Sequence, residues 1–362
     1  MINRVEGVYE KLRDRFNALG FGYAPTQSGV EFALLKRFFS PADARHMLEM
    51  PMDQFFAAED YANISGRKED EAAEILDDMS KRGLIFRTRP EGQPPQFRLM
   101  PVAHGLYEFN LNHVEPEWYE KNVQHFGESW GKQWYGAGIP FYRSVPIHNE
   151  VVMNNEVMPY DDAEQQIGRH TVFAVAPCIC RITTEMGGGP ADERREICLV
   201  FDEMAEFYIE NGIGRKITLE EAVRIIRESR ELGLVIQTAN SKASEIMCSC
   251  SLVQCGILKA AKFFGGAATA YISHYRLVED REKCRGCGVC VAKCPMQSIT
   301  LTDGNIARAD ANCVACGQCV DRCPNQARIL VKKPEADIRE LPTTLYDCYV
   351  EMQQLRKESG QI

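Results

Sequence analysis

The sequence predicts a multidomain α+β protein, and three observations carry that expectation. A chain of 362 residues exceeds what one small core organises, so two or three units are expected. Apolar residues recur at helical spacing in some windows and as short runs bounded by turn residues in others, so both element types are present. Fifteen cysteines are present, eight of them in two copies of one spacing. The resulting division is an N-terminal domain over 1–110, a central α/β domain over 111–275, a cysteine-repeat domain over 276–333 and a C-terminal helix and tail over 334–362.

Composition narrows the setting. Hydrophobic content of 45% and charged content of 26% suit folded domains throughout. A net charge of −9 gives no overall attraction to phosphate polymers or anionic lipid. The opening MINRVEGVYEKLRDRFNALG spreads charges through a region where a secretory signal needs an apolar core, so a cytoplasmic location is expected. Thiols are reduced there, and short cysteine spacings read as metal ligation. The most apolar long window, CGILKAAKFFGGAATAYISHY, is interrupted by Lys259, Lys262, Gly265 and Gly266, so no membrane span is expected.

From residue 28 to 110 the pattern is helix, helix, helix, hairpin. SPADARHMLEM offers Ser40 as N-cap, Pro41 at the first helical position and Asp43 in the first turn. In RKEDEAAEILDDMSKRG, Ala72, Ile75, Leu76 and Met79 share a face, and Gly83 ends the helix. LIFRTRP and QFRLM then read as two strands around EGQPP. The order resembles a winged helix-turn-helix domain. Its third helix carries Glu69, Asp70, Glu71, Glu74, Asp77 and Asp78, which would face phosphates in a major groove, against a small basic patch of Arg67, Arg87 and Arg89. A protein-docking or homodimerising module is therefore favoured over a nucleic-acid reader.

Residues 111–175 are aromatic and polar. Trp118, Trp130, Trp134, His113, His125, His148 and His170 read as packing groups with one satisfied polar atom, against the alternative of a binding pocket. VFAVAP reads as a buried strand. TLEEAVRIIRESRELG reads as a helix with a Thr218/Glu221 capping box and an apolar face of Leu219, Ala222, Val223, Ile226 and Leu232. LVIQT follows as a strand, and one further helix is expected after Leu341.

The repeat is C-x2-C-x2-C-x3-C-P, written twice: Cys284, Cys287, Cys290, Cys294, Pro295, then Cys313, Cys316, Cys319, Cys323, Pro324. Three thiolates from one tight loop reach one side of an iron-sulfur cubane, and the fourth comes from elsewhere. Structural zinc also uses C-x2-C pairs but does not call for the third and fourth cysteines, twice over. The segment closely resembles the two-cluster bacterial ferredoxins. That resemblance implies two [4Fe-4S] clusters with crossed ligands: Cys284, Cys287, Cys290 and Cys323 for cluster I, and Cys313, Cys316, Cys319 and Cys294 for cluster II. Gly286, Gly288, Ala315 and Gly317 allow backbone N–H groups to approach the sulfides.

Six more cysteines stand upstream, Cys178 and Cys180 in APCICR, Cys198 in REICLVF, and Cys248, Cys250 and Cys255 in IMCSCSLVQCGILK. They suggest an additional iron-sulfur cluster whose ligand subset is open, with inert buried thiols or a redox-active thiol set as the other readings. The order of these groups resembles long iron-sulfur proteins of anaerobic microorganisms, which carry further cysteines where this chain has Ser251 and Gln254. The resemblance implies electron transfer with redox partner proteins and names no substrate. Arg169, Arg181, Lys283, Arg285 and Lys293 flank these motifs and read first as solvated charge, second as potential-raising or partner-greeting cations. Gly187 to Gly189 lack phosphate-loop spacing, and Cys348 stands alone as an unligated thiol.

Three functions follow in order: an iron-sulfur electron-transfer protein, a catalytic iron-sulfur oxidoreductase fed by the cluster pair, and a redox-sensing winged-helix DNA-binding regulator. No dinucleotide or flavin fingerprint supports hydride chemistry.

Overall fold

The computed structural model describes residues 2–131, 141–146, 162–264, 273–302 and 306–362. Five helices, α1 (Ile2–Ala18), α2 (Val30–Phe38), α3 (Pro41–Glu49), α4 (Ala58–Ser65) and α5 (Glu69–Lys81), precede the antiparallel hairpin β1 (Phe86–Thr88) and β2 (Gln96–Arg98). Helix α3 starts at a reciprocal cap: Ser40 Oγ accepts from Asp43 N at 3.1 Å and Asp43 Oδ2 accepts from Ser40 N at 2.9 Å. Helix α5 buries Ala72, Leu76 and Met79 and turns Glu69, Asp70, Glu71, Glu74 and Asp78 to solvent. The three neighbouring arginines are already partnered by carboxylates. Buried Arg87 pairs with Asp77 at 2.9 Å and Glu210 at 2.6 Å, Arg89 with Glu210 at 3.2 Å, and Arg67 with Glu49 at 2.7 Å.

After α6 (Pro116–His125), a six-stranded sheet forms the centre. It contains β3 (Tyr142–Ser144), β4 (Phe173–Pro177), β5 (Glu196–Phe201), β6 (Arg215–Ile217), β7 (Val235–Ala239) and β8 (Ile246–Cys250), in the order β3-β7-β8-β5-β4-β6. Every pairing in it is antiparallel, so the centre is of the α+β kind and the expected α/β body is corrected. Helix α8 (Ile179–Met186) returns the chain from β4 to its antiparallel neighbour β5, and no two adjacent strands of the sheet run parallel. The period of two then sorts the side chains. Ala174, Ala176, Val200 and Val235 join one core, while Phe173, Val175, Ile197, Leu199, Phe201 and Ile236 join another with α7 (Ala163–Ile167) and α10 (Leu219–Glu231).

Helix α10 departs from its expectation in two ways. Thr218 Oγ1 accepts from Glu221 N at 3.2 Å, but the Glu221 carboxylate turns to Arg215 at 2.9 Å, so half of the capping box forms. Its buried face is Ala222, Ile225 and Ile226, whereas Leu219 and Leu232, at the two ends of the helix, are 38% and 42% exposed.

The largest core runs from Val8 on α1, past α9 (Asp202–Glu210) and α11 (Gly256–Phe263), to Met352 on α14 (Leu345–Glu358). Helix α14 is thus rooted in the N-terminal helices: Arg356 Nη1 donates to the Asn17 carbonyl at 2.6 Å and to that of Gly20 at 3.3 Å. Gly22, at φ +85°, makes room for that guanidinium, since a Cβ there would lie 2.3 Å from it.

The cysteine repeat forms a smaller unit. Strand β9 (Tyr275–Glu279) pairs with β12 (Arg328–Lys332), and β10 (Ile299–Thr302) with β11 (Ile306–Ala309). Two short helices, α12 (Val289–Lys293) and α13 (Gln318–Asp321), complete it around Tyr275, Ile299, Val320 and Leu330. Among the described residues no helix is long and apolar enough to cross a membrane.

Candidate metal centres

The repeat presents two small hollows. One is lined by Cys284, Cys287, Cys290 and Cys323, the other by Cys294, Cys313, Cys316 and Cys319. Each therefore draws three cysteines from one half of the repeat and one from the other half. The loops can do this because the halves bend alike at a constant offset. Gly286 and Ala315 have φ of 65° and 51°, Gly288 and Gly317 74° and 82°, and Gln297 and Gln326 51° and 49°. These left-handed residues turn amides toward sulfur. Ser298 N donates to Cys294 Sγ at 3.4 Å and Ala327 N to Cys323 Sγ at 3.3 Å. Amides of Ala307 and Gly286 hold Cys284 below the ordinary thiol range, while burial pushes Cys316 well above it and Cys319 up to about 12. Donor type, spacing and amide cradle fit thiolate-bound iron-sulfur clusters.

The two hollows differ in setting. Cys287 is the one exposed cysteine of the fifteen, so the first hollow faces out. The second faces in, with Cys294, Met296, Val314 and Cys316 packed against the largest core. Ser144 Oγ donates to the Val314 carbonyl, and Gln318 Nε2 donates to that of Leu234 at 2.7 Å. On α11, Lys262 Nζ donates to the Met296 carbonyl at 3.1 Å.

The upstream cysteines also meet. Cys178, Cys180, Cys198, Cys248, Cys250 and Cys255 all line one cavity of about 340 Å³. The pairing Leu199↔Met247 sets β5 beside β8 and thereby Cys198 near Cys248, and the strand period puts Cys248 and Cys250 on one face. Cys178 caps α8 and Cys255 caps α11, with Cys255 Sγ accepting from Leu258 N at 3.5 Å. Thiol contacts run in a row, Cys178, Cys180, Cys255, Cys250, Cys248, Cys198. Cys255 and Cys248 each take hydrogen bonds from two other thiols and are drawn well below the ordinary range. Among the described residues no three or more His, Cys, Asp or Glu converge as a ready single-ion site. The six sulfurs run in one row along the lining of the cavity.

The same cavity is lined by residues that the sequence did not single out. His104 sits at φ +57°, and its Nδ1 lies 3.1 Å from Tyr142 Oη. Glu108 Oε2 accepts from Gly105 N at 3.2 Å. Burial pushes the Glu108 carboxyl up to about 8 and His104 down to about 4. Tyr107, Trp118, Tyr119 and Phe126 also line the cavity.

The remaining expectations divide. His125 is buried with Nε2 3.1 Å from the Ala24 carbonyl, and His170 Nδ1 lies 2.7 Å from Asp202, so both are packing groups with a satisfied nitrogen. His113 is exposed. Trp134, His148 and the side chain of Trp130 lie outside the described residues. Arg181 is corrected from solvated to buried: it pairs with Asp192 beside the sulfur wall because α8 packs it inward. Cys348 is buried in the largest core, and burial pushes its thiol up to about 12.

Residues 276–324 match the 4Fe-4S dicluster domain family, a match confined to the cysteine repeat. No curated protein and no solved structure matches the chain. The repeat is thus an iron-sulfur, ferredoxin-like domain with the capacity for electron transfer.

Proposed function

We propose that the protein passes single low-potential electrons through two [4Fe-4S] clusters into a third metal centre in the central body. Cluster I takes Cys284, Cys287, Cys290 and Cys323, and cluster II takes Cys313, Cys316, Cys319 and Cys294. The third centre draws its ligands from Cys178, Cys180, Cys198, Cys248, Cys250 and Cys255. One observation carries the reading: α11 touches both sites. Cys255 caps its start in the six-thiol cavity and Lys262 in its last turn holds the Met296 carbonyl beside Cys294. Its eight residues span roughly 12 Å at about 1.5 Å per residue. Cluster I, beside exposed Cys287, is the outer port for a redox partner protein, and cluster II is the inner relay.

The cavity favours a second reading, a catalytic oxidoreductase. A volume of about 340 Å³ with an aromatic wall and the Glu108 carboxyl is at the size of a small-molecule site. DNA binding is the weakest reading, because the arginines around α5 are paired with carboxylates.

Anaerobic purification with iron and sulfide analysis tests the assignment, and EPR of the reduced protein identifies the clusters. About twelve irons per chain is the expected result and about eight would confine metal to the repeat. Cys250→Ser should remove one EPR component and leave the other two. Unchanged iron and an unchanged spectrum would sink the third centre.

A further inference from the structure

The two halves of the repeat superimpose in sequence at an offset that carries Cys294 onto Cys323, Pro295 onto Pro324 and Gln297 onto Gln326. The same offset carries Ile299 onto Arg328. Ile299 is 4% exposed and belongs to the small core between the hollows, as an apolar residue there should. Arg328 is 3% exposed at the equivalent place, where a guanidinium is costly to bury unless something there requires the charge.

Its surroundings show what faces it. Nη2 donates to the Ala307 carbonyl at 2.7 Å and lies 3.5 Å from Glu279 Oε1. Nη1 is buried with no hydrogen-bond partner. Arg328 lines the hollow of Cys284, Cys287, Cys290 and Cys323, and Cys290 and Cys319, one from each hollow, share the small core where its charge is felt. Glu279 is the more exposed member of the ion pair, at 22% against 3% for Arg328, so water screens the carboxylate more than the cation.

We propose that Arg328 is a fixed positive charge shared by the two iron-sulfur sites, raising the reduction potentials of both together. This rests on the two-cluster reading above. Each cluster becomes more negative by one charge on reduction. A permanently protonated group near a ligand of each favours the reduced forms. The repeat pair Ile299/Arg328 thus gives one residue control over both steps of the relay, whereas a surface lysine such as Lys293 would be screened by solvent.

The test is an anaerobic redox titration followed by EPR, on wild type, Arg328→Ile, which restores the residue of the other half, and Arg328→Gln, which keeps a donor for the Ala307 carbonyl. With iron and sulfide contents equal to wild type, both midpoint potentials should fall in both variants, and Arg328→Lys should recover part of the shift. Unmoved midpoints in a fully loaded variant would overturn the proposal and leave Arg328 a structural residue. Should the variants shed iron, the unmutated Arg328 is read directly. Protein labelled with guanidino-¹⁵N arginine in an Arg285→Lys background should show ¹⁵N coupling to the reduced clusters by pulsed EPR, and its absence would also overturn the proposal. Wild-type protein without iron would instead count against the two-cluster reading, which iron and sulfide analysis reports separately.

Discussion

The chain places cysteines in two kinds of setting. In the repeat they lie on loops or, for Cys290 and Cys319, on one-turn helices, and what meets the sulfurs is mainly backbone N–H groups aimed by left-handed residues. In the central body they lie on neighbouring strands and at the starts of two helices, and what meets the sulfurs is mainly other sulfurs. The first setting is a cradle whose shape depends on what fills it. The second is a wall whose shape is fixed by a sheet packed on both faces. Metal should therefore hold the repeat together, whereas packing holds the body together.

The strongest test of that contrast is metal removal. Chelation under reducing conditions should abolish hydrogen-exchange protection across β9 to β12 while β4, β5, β7 and β8 keep theirs, and equal loss in both regions would break the comparison. Next in size is Phe201→Ala, at a fully buried position on β5. It should cost about 3–5 kcal/mol of body stability in denaturant, with the optical spectrum of the iron-sulfur repeat unchanged before the transition. A smaller effect is expected of Gly317→Ala, since φ there is +82° and the new Cβ would meet Leu330 at 3.3 Å. It should cost about 1–2 kcal/mol, seen as faster iron release from the repeat with no change in unfolding of the body. Smallest and opposite in sign is Ala315→Gly, which relieves a left-handed alanine at φ 51°. It should slow iron release by up to about fivefold, the equivalent of roughly 1 kcal/mol.

The same contrast explains what the sequence disclosed. The hollows of the repeat were legible because their geometry is local: x2 and x3 spacings fix which sulfurs share a loop, and resemblance supplied the crossing. Ser40 and Asp43 were legible for the same reason, as a cap closed within four residues. The upstream cysteines were legible as three groups, but their meeting depends on β5 lying beside β8, a pairing between distant segments. His104 and Glu108 gave no local signal at all, since their place on the cavity wall comes from the turn at 102–106 packing against β3. Arg328 had a signal that motif reading passes over, because it is found by aligning the repeat with itself beyond the cysteines. Leu219 and Leu232 show the reverse error: helical periodicity marks a face but not how far along the helix that face is buried.

The strands that enter and leave the repeat, β9 and β12, pair with each other, and Lys333 N closes on the His274 carbonyl at 2.8 Å. With the inner loops also bonded to Ser144, Leu234 and Lys262, the cluster-bearing unit is pinned at its base and along one flank. It cannot act as a swinging arm that collects charge at one place and delivers it at another. For the proposed electron route, the tunnelling gap to the interior would be set once, when the polypeptide folds, and throughput would follow how often a redox partner meets the side of exposed Cys287.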